Sequence, residues 1–334
     1  MNKDIEMPIG YAFGASCVSP IDNSVFLVVI VWVVVNNPVT HGFIFRAEGT
    51  GFKYEPTRAI SNEIQPVIDN YGKFYTFGEN NSTDLNASYV DYNDMSILDT
   101  TSMTWSTLAI STNAPPPLSL YTATLLPTGI IVYIGETKTR TDNTEEPVSM
   151  YVIQTFNTKN YNWSTKVAGG DNVGTRAYHT AVLTQNCDII IYGGAMWNDS
   201  TIPATPYIAK LNTGSWMWSI PNLSQINSPQ LSYHSAALYG DYMIIAFGQI
   251  PSKTSISFIT LNNNLYILDI KSYTWVTSFN PNHSTSNQTF PPNNSTTNQT
   301  PSPDNNLNKY LFIGIGIVLL GLFSVVGFLL YKRK

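Results

Sequence analysis

The chain has 334 residues, 43% of them hydrophobic and 12% charged, with a net charge of −5 and two cysteines. Two cysteines are too few for a disulfide framework. With no basic run before the last four residues, the electrostatic footprint of a nucleic-acid binder is also missing.

Residues 1–60 come first. The opening MNKDIEMPIGYAFGAS has no positive stretch followed by an apolar core, so no secretory leader is expected there. The apolar run Val25 to Val35 (VFLVVIVWVVV) is too short to cross a bilayer as a helix, and its Val and Ile content favours a strand. The segment reads as a degenerate first unit, with strands expected at Gly14 to Ser19, from Val25 onward, at Gly42 to Arg46 and at Gly51 to Tyr54.

Four clearer units follow, over 61–110, 111–170, 171–224 and 225–281. Each closes on one phrase: LDTTSMTW (Leu98 to Trp105), FNTKNYNW (Phe156 to Trp163), LNTGSWMW (Leu211 to Trp218) and LDIKSYTW (Leu268 to Trp275). The closing residues Trp105, Trp163, Trp218 and Trp275 fall 55 to 58 residues apart, and so regular a spacing marks an array. A second landmark keeps the same beat. KFYTFG ends at Gly78, IIVYIG at Gly135, IIIYGG at Gly193 and Gly194, and MIIAFG at Gly248. Runs of about five apolar residues bounded by turn signals suit strands covered on both faces. The third landmark precedes these runs: YTATLL (Tyr121 to Leu126), YHTAVL (Tyr178 to Leu183) and YHSAAL (Tyr233 to Leu238). Small residues at alternating positions suit an inner strand, where backbones crowd. Each unit therefore offers four strands in a fixed order.

Arg176 and His179, the small residues that follow, the strand closing in Gly193-Gly194, a variable insert and the Trp phrase together resemble the kelch repeat of β-propellers. The resemblance covers roughly 61–281 and implies an all-β, kelch-type propeller of about five recognisable four-stranded blades. Gly-Gly and Arg-x-x-His are complete only in the unit at 171–224; the other units have Gly78-Glu79, Gly135-Glu136 and Gly248-Gln249. Kelch propellers more often have six or seven blades, so either this ring is small or further blades lie upstream of Met1. In such a fold the repeated indoles are expected to wedge between neighbouring blades.

Residues 282–309 change composition abruptly. They are rich in Asn, Ser, Thr and Pro, bury nothing, and read as a disordered stalk. Residues 310–331 hold the uncharged run Leu311 to Leu330, whose 20 residues match the thickness of a bilayer core at about 1.5 Å per residue and predict one transmembrane helix. The basic tail at 332–334 places the C-terminus in the cytoplasm and the propeller outside the cell or in a lumen. The rival arrangement is a tail anchor with the propeller in the cytosol. Sequons at Asn80, Asn81, Asn86, Asn162, Asn198, Asn222, Asn282, Asn287, Asn293, Asn294 and Asn298 favour the exterior topology.

For chemistry, the chain offers little. His179 and His234 occupy the same place in successive units, which points to packing or hydrogen bonding. No HxH, HxxxH or CxxC occurs, so no metal site and no cofactor are expected. Cys17 and Cys187 read as unpaired buried thiols. There is no GxSxG and no phosphate-binding glycine loop. The kelch resemblance raises galactose oxidase for comparison, whose copper radical centre needs two Tyr, two His and a Tyr-linked Cys drawn partly from another domain. This chain has no room for that domain, and fold alone does not carry the activity. No catalytic residue is assigned. The inserts between second and third strands vary in length while the core phrases do not, and such loops form the usual binding face of a repeat protein. Trp197, Lys138, Arg140, Glu136 and Glu145 are the candidate contacts there, for a protein or glycan ligand. The leading reading is a membrane-anchored, non-catalytic binding platform. Its alternatives are a propeller-class enzyme, metal-dependent oxidase or carbohydrate-active, and a fragment of a larger kelch protein.

Overall fold

The computed structural model describes Ile21 and residues 65–78, 93–109, 111, 113–135, 146–196, 202–223, 228–251 and 260–278 in full. It adds the backbone of strand residues 12–18, 25–35, 37–48, 51–55, 137–139, 145 and 199–201. The stalk, the apolar run Leu311 to Leu330 and the tail lie outside the described residues. Among those described, no helix is long and apolar enough to cross a membrane.

Among the described residues, all regular structure is β. The first sheet runs β1 (Ala12–Val18), β2 (Val25–Val35), β3 (Asn37–Glu48), β4 (Gly51–Glu55), paired in that order. The third strand starts five residues earlier than the glycine expected to open it, because β2 and β3 pair continuously up to Val35 and Asn37. The second sheet is β5 (Val67–Ile68), β6 (Lys73–Phe77), β7 (Met95–Asp99) and β8 (Thr104–Thr107).

The remaining sheets carry additions. A short strand β9 (Leu118–Ser119) leads into β10 (Thr122–Leu125) and β11 (Ile130–Ile134). The insert hairpin β12 (Thr137–Thr139) and β13 (Glu145–Pro147) follows, and β14 (Val152–Asn157) with β15 (Asn162–Val167) completes the third sheet. After β16 (Gly169–Gly170) the fourth sheet contains β17 (Thr180–Leu183) and β18 (Asp188–Tyr192). Its insert is β19 (Ala195–Met196) and β20 (Asp199–Pro203), and its outer strands are β21 (Ile208–Asn212) and β22 (Met217–Ser219). The fifth has β23 (Ser235–Tyr239), β24 (Tyr242–Ala246), the insert β25 (Gln249–Ile250) and β26 (Thr260–Leu261), then β27 (Leu265–Asp269) and β28 (Thr274–Val276). In each of the five large sheets the four main strands pair in chain order, and the inserts form small sheets of their own.

What turns five sheets into a propeller is the row of first strands. β1 lies beside β5, β5 beside β10, β10 beside β17, and β17 beside β23. The sheets therefore face one another, and each central strand must be apolar on both sides. β11 shows how period 2 serves this geometry. Ile131 and Tyr133 join Phe77, Ile97 and Met95 of the second sheet, while Val132 and Ile134 join Ile189, Ile191 and Leu211 of the fourth. β18 repeats the device, with Ile189 and Ile191 toward the third sheet and Ile190 and Tyr192 toward Met243 and Ile245 of the fifth. Each such side chain, fully buried, contributes about 1.5–3 kcal/mol of transfer free energy. In the fifth sheet only one face is closed this way: Met243 and Ile245 are buried, whereas Tyr242 and Ile244 are half-buried and Leu265 is exposed.

The four repeated indoles sit on outer strands. Trp163 lies 4.4 Å from the ring of Phe77 in the preceding sheet and 5.2 Å from Tyr133 in its own. Trp218 Nε1–H donates to the Met150 carbonyl at 2.8 Å, and the ring of Trp275 stands edge-on to Tyr192 of the preceding sheet at 5.8 Å. Trp105 meets Phe74 of its own sheet edge-on at 6.3 Å. Tyrosine hydroxyls add polar ties, since Tyr121 donates to the Phe77 carbonyl and Tyr192 to the Pro229 carbonyl, both at 2.7 Å.

Candidate functional site

The end of each sheet where the first strand enters is also where the insert leaves. Two chain segments must cross there at close range. Gly135, at φ +68°, ends β11 under the His179 ring, and a Cβ on it would stand 2.3 Å from His179 Cε1. Gly193, at φ +65°, ends β18 under the His234 ring, and a Cβ on it would stand 2.7 Å from His234 Cε1 and 2.4 Å from the Leu231 carbonyl oxygen. Glycine is required at both places for its conformation and for its size.

The histidines are held by a ladder of hydroxyls. His179 Nε2 pairs with Thr122 Oγ1 at 3.1 Å, and His234 Nε2 with Thr180 Oγ1 at 2.8 Å. Because Thr180 follows His179 directly, β10 is tied to β17 and β17 to β23 by successive steps of the same pattern. Both rings are buried. Burial holds His179 well below the ordinary imidazole range, with the Arg176 and His234 charges acting in the same direction. Burial likewise pushes His234 down to about 3, opposed in part by the Tyr192 backbone carbonyl. Both rings are therefore neutral at pH 7 and serve as links between sheets.

Arg176, just before the fourth sheet's first strand, is 2% exposed. Its Nη1–H donates to the Gly193 carbonyl at 3.1 Å and its Nε–H to the Gly174 carbonyl at 3.3 Å. Burial lowers its pKa to about 10, so it keeps its charge at neutral pH. Arg176 thus braces the entering segment against the glycine corner of its own sheet. Tyr178 and Tyr233 stack with centroids 3.9 Å apart, and both stand at positive φ, 61° and 55°. This tyrosine pair was absent from the candidates drawn from sequence, although the repeated Tyr-His dipeptide was its signal.

The inserts are built on these entering segments. β12 pairs with β13 on one side and β9 on the other, so Lys138 lies opposite Glu146 and Leu118, and Glu145 opposite Thr139. In the fourth sheet Ala177 bridges Ala195, and in the fifth Ser232 bridges Gln249. Of the candidate contacts, the backbones of Lys138 and Glu145 are thereby placed on one hairpin; Glu136, Arg140 and Trp197 lie outside the described residues. Gly78 and Gly248 end their strands with positive φ, like Gly135, Gly193 and Gly194.

Two sequon asparagines are described. Asn162 opens β15 and Asn222 follows β22, and both are exposed. Asn80, Asn81, Asn86, Asn198, Asn282, Asn287, Asn293, Asn294 and Asn298 lie outside the described residues. Cys187, expected to be buried, is instead half-buried and free at φ +62°, because it sits in the turn between β17 and β18. Of Cys17 only the backbone is described. Among the described residues no group of three or more His, Cys, Asp or Glu stands close enough to hold a metal ion.

Comparisons with known proteins agree with this architecture. The family model described as "KLHDC2/KLHL20/DRC7 Kelch-repeats domain" matches residues 139–297. Among solved structures, the one titled "Structure of YjhT" is similar with a TM-score of 0.58 at 11% identity, over 82% of this chain and 85% of that one. At that identity the likeness concerns the fold. No curated protein matches the chain. The described part is an all-β propeller fold, and its likeness to kelch repeats covers residues 139–297.

Proposed function

We propose that this chain is a membrane-anchored kelch-type propeller that binds a protein or glycan, without catalysing a reaction, through the inserts between its second and third strands. The observation that carries the reading is how those inserts are mounted. In the third, fourth and fifth sheets the insert is hydrogen-bonded at its base to the segment entering that sheet's first strand. Tips of different length on a braced base are what a repeat protein presents to a ligand. The polar residues repeated along the first strands support the non-catalytic part, because His179 and His234 are neutral and engaged in ties between sheets. In this reading the propeller lies on the exterior side with Leu311 to Leu330 as the anchor, which the sequons and the basic tail at 332–334 support.

The test uses full-length protein in nanodiscs, screened on a glycan array and by proximity labelling at cell surfaces. Replacing Glu136, Lys138, Arg140, Glu145 and Trp197 together by Ala is expected to weaken any ligand found by at least ~10-fold, about 1.4 kcal/mol, with unchanged melting. Undiminished binding would remove the insert face from consideration. Stoichiometric copper or iron in the purified protein would overturn the non-catalytic reading.

A further inference from the structure

Among the described residues, four of the five large sheets end at their fourth strand, but the fourth sheet has a fifth member, β16, which belongs by sequence to the exit of the third sheet. After Val167 the chain crosses to the next sheet and runs parallel to β22, with Gly169 opposite Met217 and Gly170 opposite Trp218. Gly169 N–H donates to the Trp216 carbonyl at 2.9 Å, and Asp171 N–H to the Trp218 carbonyl at 3.1 Å. The Asp171 carboxylate then accepts the Ile220 N–H at 2.9 Å, which extends the contact beyond the strand itself. On the other side Ala168 N–H donates to the Tyr151 carbonyl at 2.8 Å, the Tyr151 hydroxyl donates to the Asp171 carbonyl at 3.1 Å, and Trp218 reaches back to Met150.

At Gly170 the crossing allows nothing bulkier. Gly170 stands at φ +93°, and a Cβ there would lie 2.1 Å from the Trp218 carbonyl oxygen and 2.8 Å from its nitrogen. A Cβ on Gly169 would meet Met217 Sδ at 3.0 Å. A two-residue strand with no side chains buries no apolar group of its own, so its role lies in the backbone groups it covers. β22 needs such a cover. Met217 and Ile220 are among the exposed large apolar residues, and Val167 beside them is 81% exposed. An apolar outer strand with free N–H and C=O groups is a template for strand addition by another chain.

We propose that β16 is a strap that closes the outer edge of the fourth sheet against strand addition by a second copy of this chain, and that in doing so it joins the third and fourth sheets into one unit of local opening. Opening the strap frees the Trp216 and Trp218 carbonyls and the Ile220 N–H beside the already exposed Met217 and Ile220 side chains. Closing it holds residues 168–171 against both sheets at once.

The experiment compares full-length protein in nanodiscs, one chain per disc, with its Gly170→Ala variant. Native-state hydrogen exchange reads the Gly169, Asp171 and Ile220 amides, and pairing of discs is followed by sedimentation velocity as concentration rises. The variant is expected to exchange at those three amides at least ~10-fold faster, with the amides of β6 and β24 unchanged. Its discs are expected to pair as concentration rises, and a second change, Met217→Lys, is expected to abolish that pairing by charging the edge. The proposal is overturned if the three amides keep their wild-type protection, if the variant's discs stay single, or if the wild-type discs already pair through this edge. It is also overturned if β6 and β24 exchange faster to the same degree, since the strap would then hold the whole domain. None of these readings depends on the ligand of the insert face.

Discussion

His234 makes the fold sensitive to acid in a calculable way. Its ring is buried against Gly193, paired through Nε2 with Thr180, and holds a pKa of about 3, against about 6.5 in the unfolded chain. Between those values the unfolded state binds a proton that the folded state does not, so stability is complete above pH 6.5 and falls as pH drops below it. Integrating that difference from pH 7 to pH 5 gives a loss of about 2 kcal/mol from this one residue. His179, depressed by the same burial, adds to the loss in the same direction. Urea unfolding at the two pH values measures it. The His234→Gln variant keeps a group that can meet the Thr180 hydroxyl and has no proton to gain, so it is less stable at pH 7 but loses about 2 kcal/mol less on acidification. Equal losses in the two proteins would refute the claim that burial of this ring, and not titration elsewhere, sets the acid sensitivity.

Gly135→Ala is expected to cost at least ~2 kcal/mol, from positive φ and from contact with His179. Combining it with His179→Ala should recover the steric part and leave the backbone part, as a double-mutant cycle in urea would report; an alanine tolerated at no cost would mean the corner is looser than its geometry. If the proposed exterior topology holds, peptide N-glycosidase should increase the gel mobility of protein made in a eukaryotic secretory host. Asn162→Gln and Asn222→Gln should each remove one step, and mobility unaffected by the enzyme would place the propeller in the cytosol.

Much of the architecture could be read before any coordinates, because it rests on short-range pattern. The nearly unbroken apolar runs Ile130–Ile134 and Asp188–Tyr192 require strands covered on both faces, the repeated Trp phrase sets the period, and the small residues of YHTAVL mark the crowded strand. The insert face was harder. Its positions follow from variable length, but what Trp197 or Arg140 would touch does not, since loop tips are shaped by contacts that no period encodes. The Tyr178–Tyr233 stack was missed because the two rings belong to different sheets 55 residues apart.

The physical division is between neighbours along the chain and neighbours across sheets. Strand identity, order and the repeat belong to the first kind and are written in a few consecutive side chains each. Why Gly135 must be glycine, why Arg176 is held against the Gly193 carbonyl, and why Gly169-Gly170 crosses to a foreign edge belong to the second. They follow from the few ångströms left between sheets packed side by side, a distance that only the assembled propeller sets.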